Sequence, residues 1–206
     1  FPPEMFEDME IMYDALDKLD VKEMISILEN ISNNLNNTEQ ELDRFLDIFQ
    51  RIKAEQKVDE IRKRIEQLTK NQDNLDQQIR SMNKQTDSSV FKRLTKEQKI
   101  SQKELSNIIK EMRRSDDDIK KVSRKTAQEI EQLSEGNNAE LAKSNLKETV
   151  NNLENQKPYE AMDASYSSMQ SMQSLESSMN QIFSNFQKQA SREMAKKFRN
   201  ILRDVL

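Results

Sequence analysis

An unbroken heptad pattern between Val58 and Met82 constrains the fold of this chain more than any other stretch of its sequence. Eight positions follow one another at spacings of 3 and 4 residues, and seven are apolar: Val58, Ile61, Ile65, Leu68, Leu75, Ile79 and Met82. The eighth is Gln72. The residues between them are mostly charged or carry amides, so the pattern predicts a helix whose narrow apolar seam packs against partner helices.

The amino-acid composition favours helices over the other fold classes. The 206 residues include 1 Gly and 3 Pro, too few turn-forming residues for a sheet with many hairpins. Only 34% of the residues are hydrophobic and 34% are charged, which leaves either disorder or long helices with thin seams. Apolar residues keep a helical spacing over many turns, which favours long helices over disorder. We therefore predict an all-α protein.

The order of seams and breaks predicts an elongated antiparallel helical bundle, or coiled coil, with three long helices and a short N-terminal helical hairpin. Residues 1–37 would form the acidic hairpin and residues 38–206 the long-helix bundle. The expected helices cover about 38–84, 95–134, 139–156 and 158–206.

Local signals set these boundaries. Thr38 and Glu41 have the spacing of a capping box, and Gln85 to Ser89 is rich in turn-forming and capping residues. Gly136 is typical of a helix C-terminus, with Asn residues after it to begin the next helix. Pro158 either kinks a helix or begins a new one in its first turn.

The other predicted seams are more polar than the first. In the second long helix the seam passes through Gln98, Ser101, Leu105, Ile108, Met112, Ser115, Ile119, Val122, Thr126 and Leu133. In the last helix it passes through Met162, Tyr166, Met169, Met172, Leu175, Met179, Phe183 and Phe186. We therefore expect a charge at Leu68 to cost more helicity than the same charge at Leu105.

The residue types present exclude most catalytic chemistry. The chain has no His and no Cys, which removes the commonest general base, thiolate nucleophiles and thiolate metal sites. Asp116, Asp117 and Asp118 are consecutive, so on a helix their carboxylates point in different directions and do not converge on an ion. We expect no enzymatic activity, no catalytic residues, no cofactor, no metal and no small-molecule substrate.

The methionines and serines between Ser165 and Gln181 are open to three interpretations. They could form an adaptable groove for a partner, a thioether copper site, or a soft seam inside the bundle. We favour the seam, because small residues beside methionine allow helices to approach closely.

The C-terminal stretch predicts an amphipathic helix with a basic side. Its candidate membrane or partner face comprises Phe183, Phe186, Lys188, Arg192, Lys196, Lys197, Phe198, Arg199 and Arg203. Such a helix could lie on an anionic membrane or bind a partner, or it could be the last bundle helix with a charged outer side, which we favour.

Charge is unevenly distributed along the chain. Residues 1–50 carry 3 basic and 13 acidic side chains, and residues 51–135 carry 21 and 16. The two regions could lie against each other, but solvated helix faces are the favoured interpretation. We expect no nucleic-acid binding, because acid nearly balances the basic middle. No run of about 18 apolar residues is present, so no membrane span is expected.

Three short motifs stand out in the chain: ALDKLD at 15–20, ELDRFLDIFQRIKAEQK at 41–57 and MQSMQ at 169–173. They resemble an uncharacterised family of large, membrane-anchored bacterial proteins with long charged helices and Gln/Met-rich tracts, and the match is clearest over residues 15–80. The resemblance implies transmembrane helices ahead of this region and an extramembrane location, with the periplasm as one option. It implies no activity and no catalytic residues. Because the chain starts with Phe1, we expect it to be a fragment of a longer protein.

Two functional hypotheses follow. The leading one is a non-enzymatic scaffold, spacer or protein-interaction region of a larger membrane-associated bacterial protein. The alternative is a membrane-surface or lipid-binding protein that uses the basic C-terminal helix. A protein partner or self-association is expected, because a polar seam residue such as Gln72 is able to specify register between chains as well as within one.

Overall fold

The computed structural model describes the backbone of residues 39–114 and 116–205 and the side chains of residues 46–114 and 118–189. Every regular element in these residues is an α-helix, which confirms the all-α prediction. In chain order the helices are α1 Glu39–Arg80, α2 Ser88–Arg114, α3 Asp116–Val122, α4 Arg124–Glu135, α5 Asn137–Glu154 and α6 Pro158–Val205. The predicted hairpin of residues 1–37 lies outside the described residues and stays a prediction.

The chain divides into two compact units, residues 1–54 and 55–206, and the division falls within α1. In the described part of the first unit, Ile48 and Ile52 lie one helical turn apart and are both buried. The second unit contains the rest of α1 and the other five described helices. The predicted boundary between residues 37 and 38 borders residues that are not described and stays a prediction.

Within the second unit, α1 and α2 run antiparallel. Residue numbers on α1 rise as those of their partners on α2 fall. The contacting pairs are Lys57 with Glu111, Arg64 with Glu104, Gln72 with Gln98, and Gln78 with Arg93. A loop of seven residues, 81–87, makes this reversal possible.

The chain then returns along α2 through α4 and α5. Ion pairs join Arg113 to Glu135 and Lys99 to Glu154, so this segment is antiparallel to α2. The last helix, α6, packs against α4 and α5. Its contacts with α1 are again antiparallel, since Arg62 and Arg80 of α1 meet Phe183 and Tyr166 of α6.

The second helix begins seven residues earlier than the sequence predicted, at Ser88 instead of Thr95. Asp87 explains the difference, because its Oδ1 accepts a hydrogen bond of 2.7 Å from the Ser89 backbone N–H and so caps the first turn. This N-cap lies within the segment that the sequence assigned to a turn. The extra turns bring Phe91 and Leu94 into the core.

The predicted helix 95–134 is interrupted, which corrects the expectation of one continuous helix. It is described as α2 up to Arg114 and as the short α3 from Asp116, and it breaks at Ser123. Ser123 is extended, with φ −148° and ψ 100°, and its Oγ accepts a hydrogen bond from the Thr126 N–H. A seam rich in Ser and Thr allowed this outcome, since their hydroxyls compete for backbone groups and favour caps.

The later breaks fall where the sequence placed them. Gly136 separates α4 from α5 with φ −70° and ψ 161°, an extended conformation and not the left-handed one. Pro158 is the first residue of α6. Between α5 and α6, Gln156 has φ 53°. The Lys157 N–H donates to Asn152 O and the Gln156 N–H donates to Leu153 O, which makes a Schellman turn with glutamine at the position that glycine usually occupies.

We expect Gln156→Gly to raise the free energy of unfolding by about 1 kcal/mol, because the left-handed conformation strains a residue with a Cβ and does not strain glycine. Gln156→Ala is the matched control and should leave stability within about 0.5 kcal/mol of wild type. Urea titrations followed by circular dichroism measure both. Equal changes for the two variants would show that the turn is not strained.

The cores of the long helices follow heptads without a gap. All eight predicted seam residues are buried; seven of them, Gln72 included, lie on α1, and Met82 follows in the loop of residues 81–87. The buried heptad positions on α2 are Phe91, Leu94, Gln98, Ser101, Leu105, Ile108 and Met112, and those on α5 are Ala139, Ala142, Leu146, Thr149 and Leu153. On α6 they are Ala161, Ser165, Ser168, Met172, Leu175, Met179, Ile182 and Phe186.

Candidate interaction surfaces

The seam of α1 faces into the second unit. Val58, Ile61, Ile65, Leu68, Leu75, Ile79 and Met82 are each no more than 6% exposed. Leu75, Ile79 and Met82 share one core cluster with Phe91 and Leu94 of α2, Leu153 of α5 and Ala161 of α6. In this structure the seam is thus occupied by helices of its own chain.

The polar seam residue of α1 meets a second glutamine. Gln98 Nε2 of α2 donates a hydrogen bond of 3.1 Å to Gln72 Oε1, and both side chains are fully buried. Burial of amides among apolar side chains is unfavourable unless they are paired with one another. The pair therefore acts within the chain as a polar contact between α1 and α2.

Further buried polar side chains accompany the glutamine pair. Thr149 on α5 and Ser165 and Ser168 on α6 are fully buried. Thr149 donates to the Asn145 carbonyl, whereas Gln72 Nε2, Gln98 Oε1 and both serine hydroxyls have no hydrogen-bond partner among the described residues. The core of these helices thus contains a section of buried polar side chains among its apolar residues.

A four-residue ionic network joins α1 to α2 on one side of this core. Arg64 donates to Glu104 Oε1 from Nη2 at 2.7 Å and from Nε at 3.0 Å, and it also contacts Glu111. Lys57 contacts Glu111 as well. The side chains are 23–39% exposed, so solvent only partly screens these charges. The sequence did not reveal this network, because it depends on the alignment of the two helices.

The network lowers the pKa of Glu111 and raises the pKa of Lys57. Partial burial of Glu111 opposes its ionisation, but the hydrogen bond and charge of Lys57 and the charge of Arg64 outweigh burial and hold the pKa of Glu111 below its usual value. The hydrogen bond to Glu111 raises the pKa of Lys57, although burial works against it. Both shifts favour the charged forms of the pair.

We expect Glu111→Gln to lower the free energy of unfolding by about 1 kcal/mol at neutral pH, because it removes the shared acceptor of Lys57 and Arg64. A lowered pKa means that the stabilisation is complete above the unfolded value of about 4.3 and is lost as the pH falls through the lower folded value. Urea titrations should therefore show this difference in the free energy of unfolding between wild type and variant at neutral pH, and a much smaller one near pH 3. Glu97→Gln, in an exposed pair with Arg93, is the control, and an equal effect for it would contradict the assignment.

A second charged cluster joins α1 to α6. Asp76 is 2% exposed and accepts a hydrogen bond of 2.6 Å from Arg80 Nε one turn later. The guanidinium of Arg80 lies 4.5 Å from the centre of the Tyr166 ring. The other carboxylate oxygen of Asp76 has no hydrogen-bond partner among the described residues. Arg80 is therefore the cation that compensates a buried acid.

The methionine and serine tract lies on the core side of α6. Met169, Met172 and Met179 are 8%, 1% and 0% exposed, and Ser165 and Ser168 are buried with them. Tyr166, which the sequence assigned to the seam, is 42% exposed, and Ser165 occupies the seam position in its place. The seam therefore runs one residue out of the predicted phase in this part of α6, where small hydroxyl side chains fit between closely packed helices.

The predicted basic C-terminal face is described only at its start. Phe186 is 2% exposed, so it lies in the core and not on an outer face. Phe183 is half-buried, with the Arg62 guanidinium 5.2 Å from its ring centre, and Lys188 is exposed. The side chains of the remaining members lie outside the described residues: Arg192, Lys196, Lys197, Phe198, Arg199 and Arg203.

A surface groove lined by amides and hydroxyls, including Asn138, Gln173 and Gln181, runs along α6. No group of three or more acidic side chains is close enough to hold a metal ion in the part of the chain that the structure describes. Of the Asp116–Asp118 run, the side chain of Asp118 is described, and it lies 4.0 Å from Lys121. None of the described helices is long and apolar enough to cross a bilayer.

Comparisons with protein-family models, with curated proteins and with solved structures give no match to this chain. The bacterial family resemblance drawn from the sequence thus stays a prediction, together with the extramembrane location that it implies.

Proposed function

We propose that this chain is a non-enzymatic helical bundle that serves as a scaffold, spacer or protein-interaction region of a larger membrane-associated bacterial protein. In this proposal four helical arms, namely α1, α2, α4 with α5, and α6, form an elongated antiparallel bundle. The short hairpin expected in residues 1–37 would precede it. Three uninterrupted long helices are no longer part of the proposal, because of the break at Ser123.

One observation carries the bundle proposal. A single core cluster draws Leu75 and Ile79 from α1, Met82 from the loop after it, Phe91 and Leu94 from α2, Leu153 from α5 and Ala161 from α6. All four arms thus meet at one level, where the chain passes from α1 to α2 and from α5 to α6. Since consecutive arms are antiparallel, the same four arms are able to share a core along their common length.

The functional half of the proposal rests on where the charged residues lie. The heptad positions are buried within the chain, whereas most charged side chains between them stay exposed. A thin apolar core with polar outer faces is typical of proteins that hold partners apart or present helix faces to them. Self-association would then use the outer faces, and sedimentation equilibrium measures it.

Small-angle scattering of the full chain tests the architecture. A 48-residue helix such as α6 is roughly 72 Å long, so the maximum dimension should reach at least that length. A compact globule of this chain length would have a radius of gyration of about 17 Å. A measured radius near that value would overturn the elongated bundle.

The alternative, a membrane-surface protein, has one favourable observation. The backbone of α6 stays helical to Val205, so the basic residues beyond Lys188 share one continuous helix. Vesicles containing phosphatidylserine should then recover the full chain on flotation and lose it when residues 183–206 are removed. Equal recovery of the two proteins would exclude this function, and the core position of Phe186 already reduces the apolar surface available to lipid.

A further inference from the structure

Six cations form one row along the outer side of α2. Their spacings of 4, 3, 4, 7 and 4 residues keep them on one face of the helix, and all six are exposed. We call these residues the lysine row: Lys92, Lys96, Lys99, Lys103, Lys110 and Arg114. At 1.5 Å per residue the row is roughly 33 Å long.

The acids of α2 lie on a different side of the helix from the lysine row. Glu104 and Glu111 face α1 and bind Arg64, and Glu97 pairs with Arg93. Their own partners therefore already satisfy these acids. The helix is divided lengthwise into a neutralised side against α1 and a positive side that faces outward.

Little in the described structure neutralises the lysine row. Lys99 pairs with Glu154 of α5 at 2.6 Å, in a contact where both side chains are about half exposed. Lys92 interacts electrostatically with Asp87, and for the other four cations no ion pair is found within the described residues. Like charges one turn apart repel one another, so a row with this little neutralisation favours an anionic partner.

An apolar side chain sits beside the row. Ile100 is 61% exposed, the highest value among the large hydrophobic residues that the structure describes as exposed. It lines a shallow groove of about 440 Å³ together with Thr95 and four of the row's lysines. The face thus offers charge along its length and one apolar contact near its N-terminal half.

We propose that the lysine row is the docking face for an acidic α-helix of a partner protein. Two helices have the same rise per residue, so acids spaced 4 and 3 residues apart on a partner meet each cation of the row in turn. The row is a single residue wide, and the side of the helix next to it is already neutralised by its own ion pairs. A planar anionic membrane or a nucleic-acid duplex would also cover that side without gaining charge pairing there, which makes a narrow helical partner the better fit.

The inference rests on the proposed function, since it names the partner chemistry of an interaction region. The two are tested separately. Scattering decides whether the bundle is elongated whatever the row binds, and peptide binding decides what the row binds whatever the particle's shape.

The experiment uses the full chain and a fluorescein-labelled helical peptide of about seven turns whose glutamates repeat at 4 and 3 residues. A second peptide of identical composition has its glutamates distributed around the helix. Fluorescence anisotropy at low salt should show binding of the first peptide and at least fivefold weaker binding of the second. Added salt should weaken binding, because it screens exposed charges.

Two protein variants with the same change of charge separate the row from net charge. Lys92→Gln with Lys96→Gln and Lys103→Gln should weaken binding roughly tenfold, since three exposed ion pairs are lost. Lys125→Gln with Lys147→Gln and Lys157→Gln removes three exposed lysines elsewhere and should change binding less than about twofold. In a third test, Lys96→Glu should weaken binding, and a peptide with the facing glutamate changed to lysine should restore it.

Three results would overturn the inference. They are equal affinity of the two triple variants for the peptide, equal affinity of wild type for the two peptides, and failure of the charge-swapped peptide to restore binding to Lys96→Glu. Vesicles containing about 30% phosphatidylserine provide a further arm. If the row's lysines were needed for binding to these vesicles and not for binding to the peptide, a membrane would replace the helix as the occupant of this face.

Discussion

Leu105→Ala should lower the free energy of unfolding by about 3 kcal/mol. Leu105 is fully buried on the core side of α2, and its removal deletes three buried carbon atoms and leaves a cavity that neighbouring helices fill only in part. Urea denaturation followed by circular dichroism measures the loss. A change below about 1 kcal/mol would show that the core around α2 is loosely packed.

The same helix supplies the control for this measurement. Ile100 lies five residues earlier and is 61% exposed, so Ile100→Ala should change the free energy of unfolding by less than about 0.5 kcal/mol. Leu68 of α1 is 4% exposed, and Leu68→Ala should cost about as much as Leu105→Ala. This revises the sequence-based expectation that the seam of α1 is the more sensitive of the two.

Arg80→Met should destabilise the chain by about 1–2 kcal/mol, because it leaves the buried carboxylate of Asp76 without its cation, whereas the Arg80 side chain itself is 46% exposed and solvent reduces the cost. Methionine keeps the aliphatic part of the arginine side chain, so the loss reports the charge more than the packing. Part of the loss comes from the contact of the guanidinium with Tyr166, which is worth about 0.5–1 kcal/mol. Tyr166→Leu measures that part separately.

A double-mutant cycle isolates the charge pair. Asp76→Leu together with Arg80→Met should recover most of the stability that Arg80→Met loses, since the buried carboxylate that needs a cation is then absent. Arg93→Met is the control, because Arg93 and Glu97 form a pair at the same spacing that is 50% and 37% exposed. Its effect should stay below about 0.5 kcal/mol. Additive effects at Asp76 and Arg80 would contradict coupling between them.

The sequence was most informative where apolar residues repeat without interruption. The heptad from Val58 to Met82 allowed only one helical face to be buried, and that face is buried in the structure. The breaks at Gly136 and Pro158 could also be predicted, because glycine and proline each affect the backbone in a known way. These features depend on local chemistry alone, and one sequence contains all of it.

The sequence was less informative where polar residues occupy the core. Ser123 could have continued a helix or capped one, and its neighbour Thr126 decides for the cap through a hydrogen bond at 3.2 Å. On α6, Ser165 is buried in the core, whereas Tyr166 is 42% exposed and lies against Arg80 of α1. Large apolar residues are the default choice for a seam, so tertiary packing overrode the local pattern here.

Of the two charged surface features, one could be predicted from the sequence and the other could not. The lysine row could be predicted from the spacing of Lys92, Lys96 and Lys103 alone. The network of Lys57, Arg64, Glu104 and Glu111 could not be predicted, because each of its contacts joins two helices and residues 40 or more positions apart in the chain. Their pairing follows from the alignment of α1 with α2, which single-helix periodicity leaves undetermined.

The glutamine pair in the core determines that alignment. Because the seams of α1 and α2 repeat every seven residues, sliding one helix by a heptad would still match apolar positions with apolar positions. It would also place Gln72 opposite Phe91 or Leu105 and would separate it from Gln98. Each buried amide would then lose its one bond, at roughly 1–3 kcal/mol apiece. Gln72 and Gln98 interrupt the apolar repeat of their helices. They thus favour one alignment of α1 with α2, where the apolar residues alone would permit several.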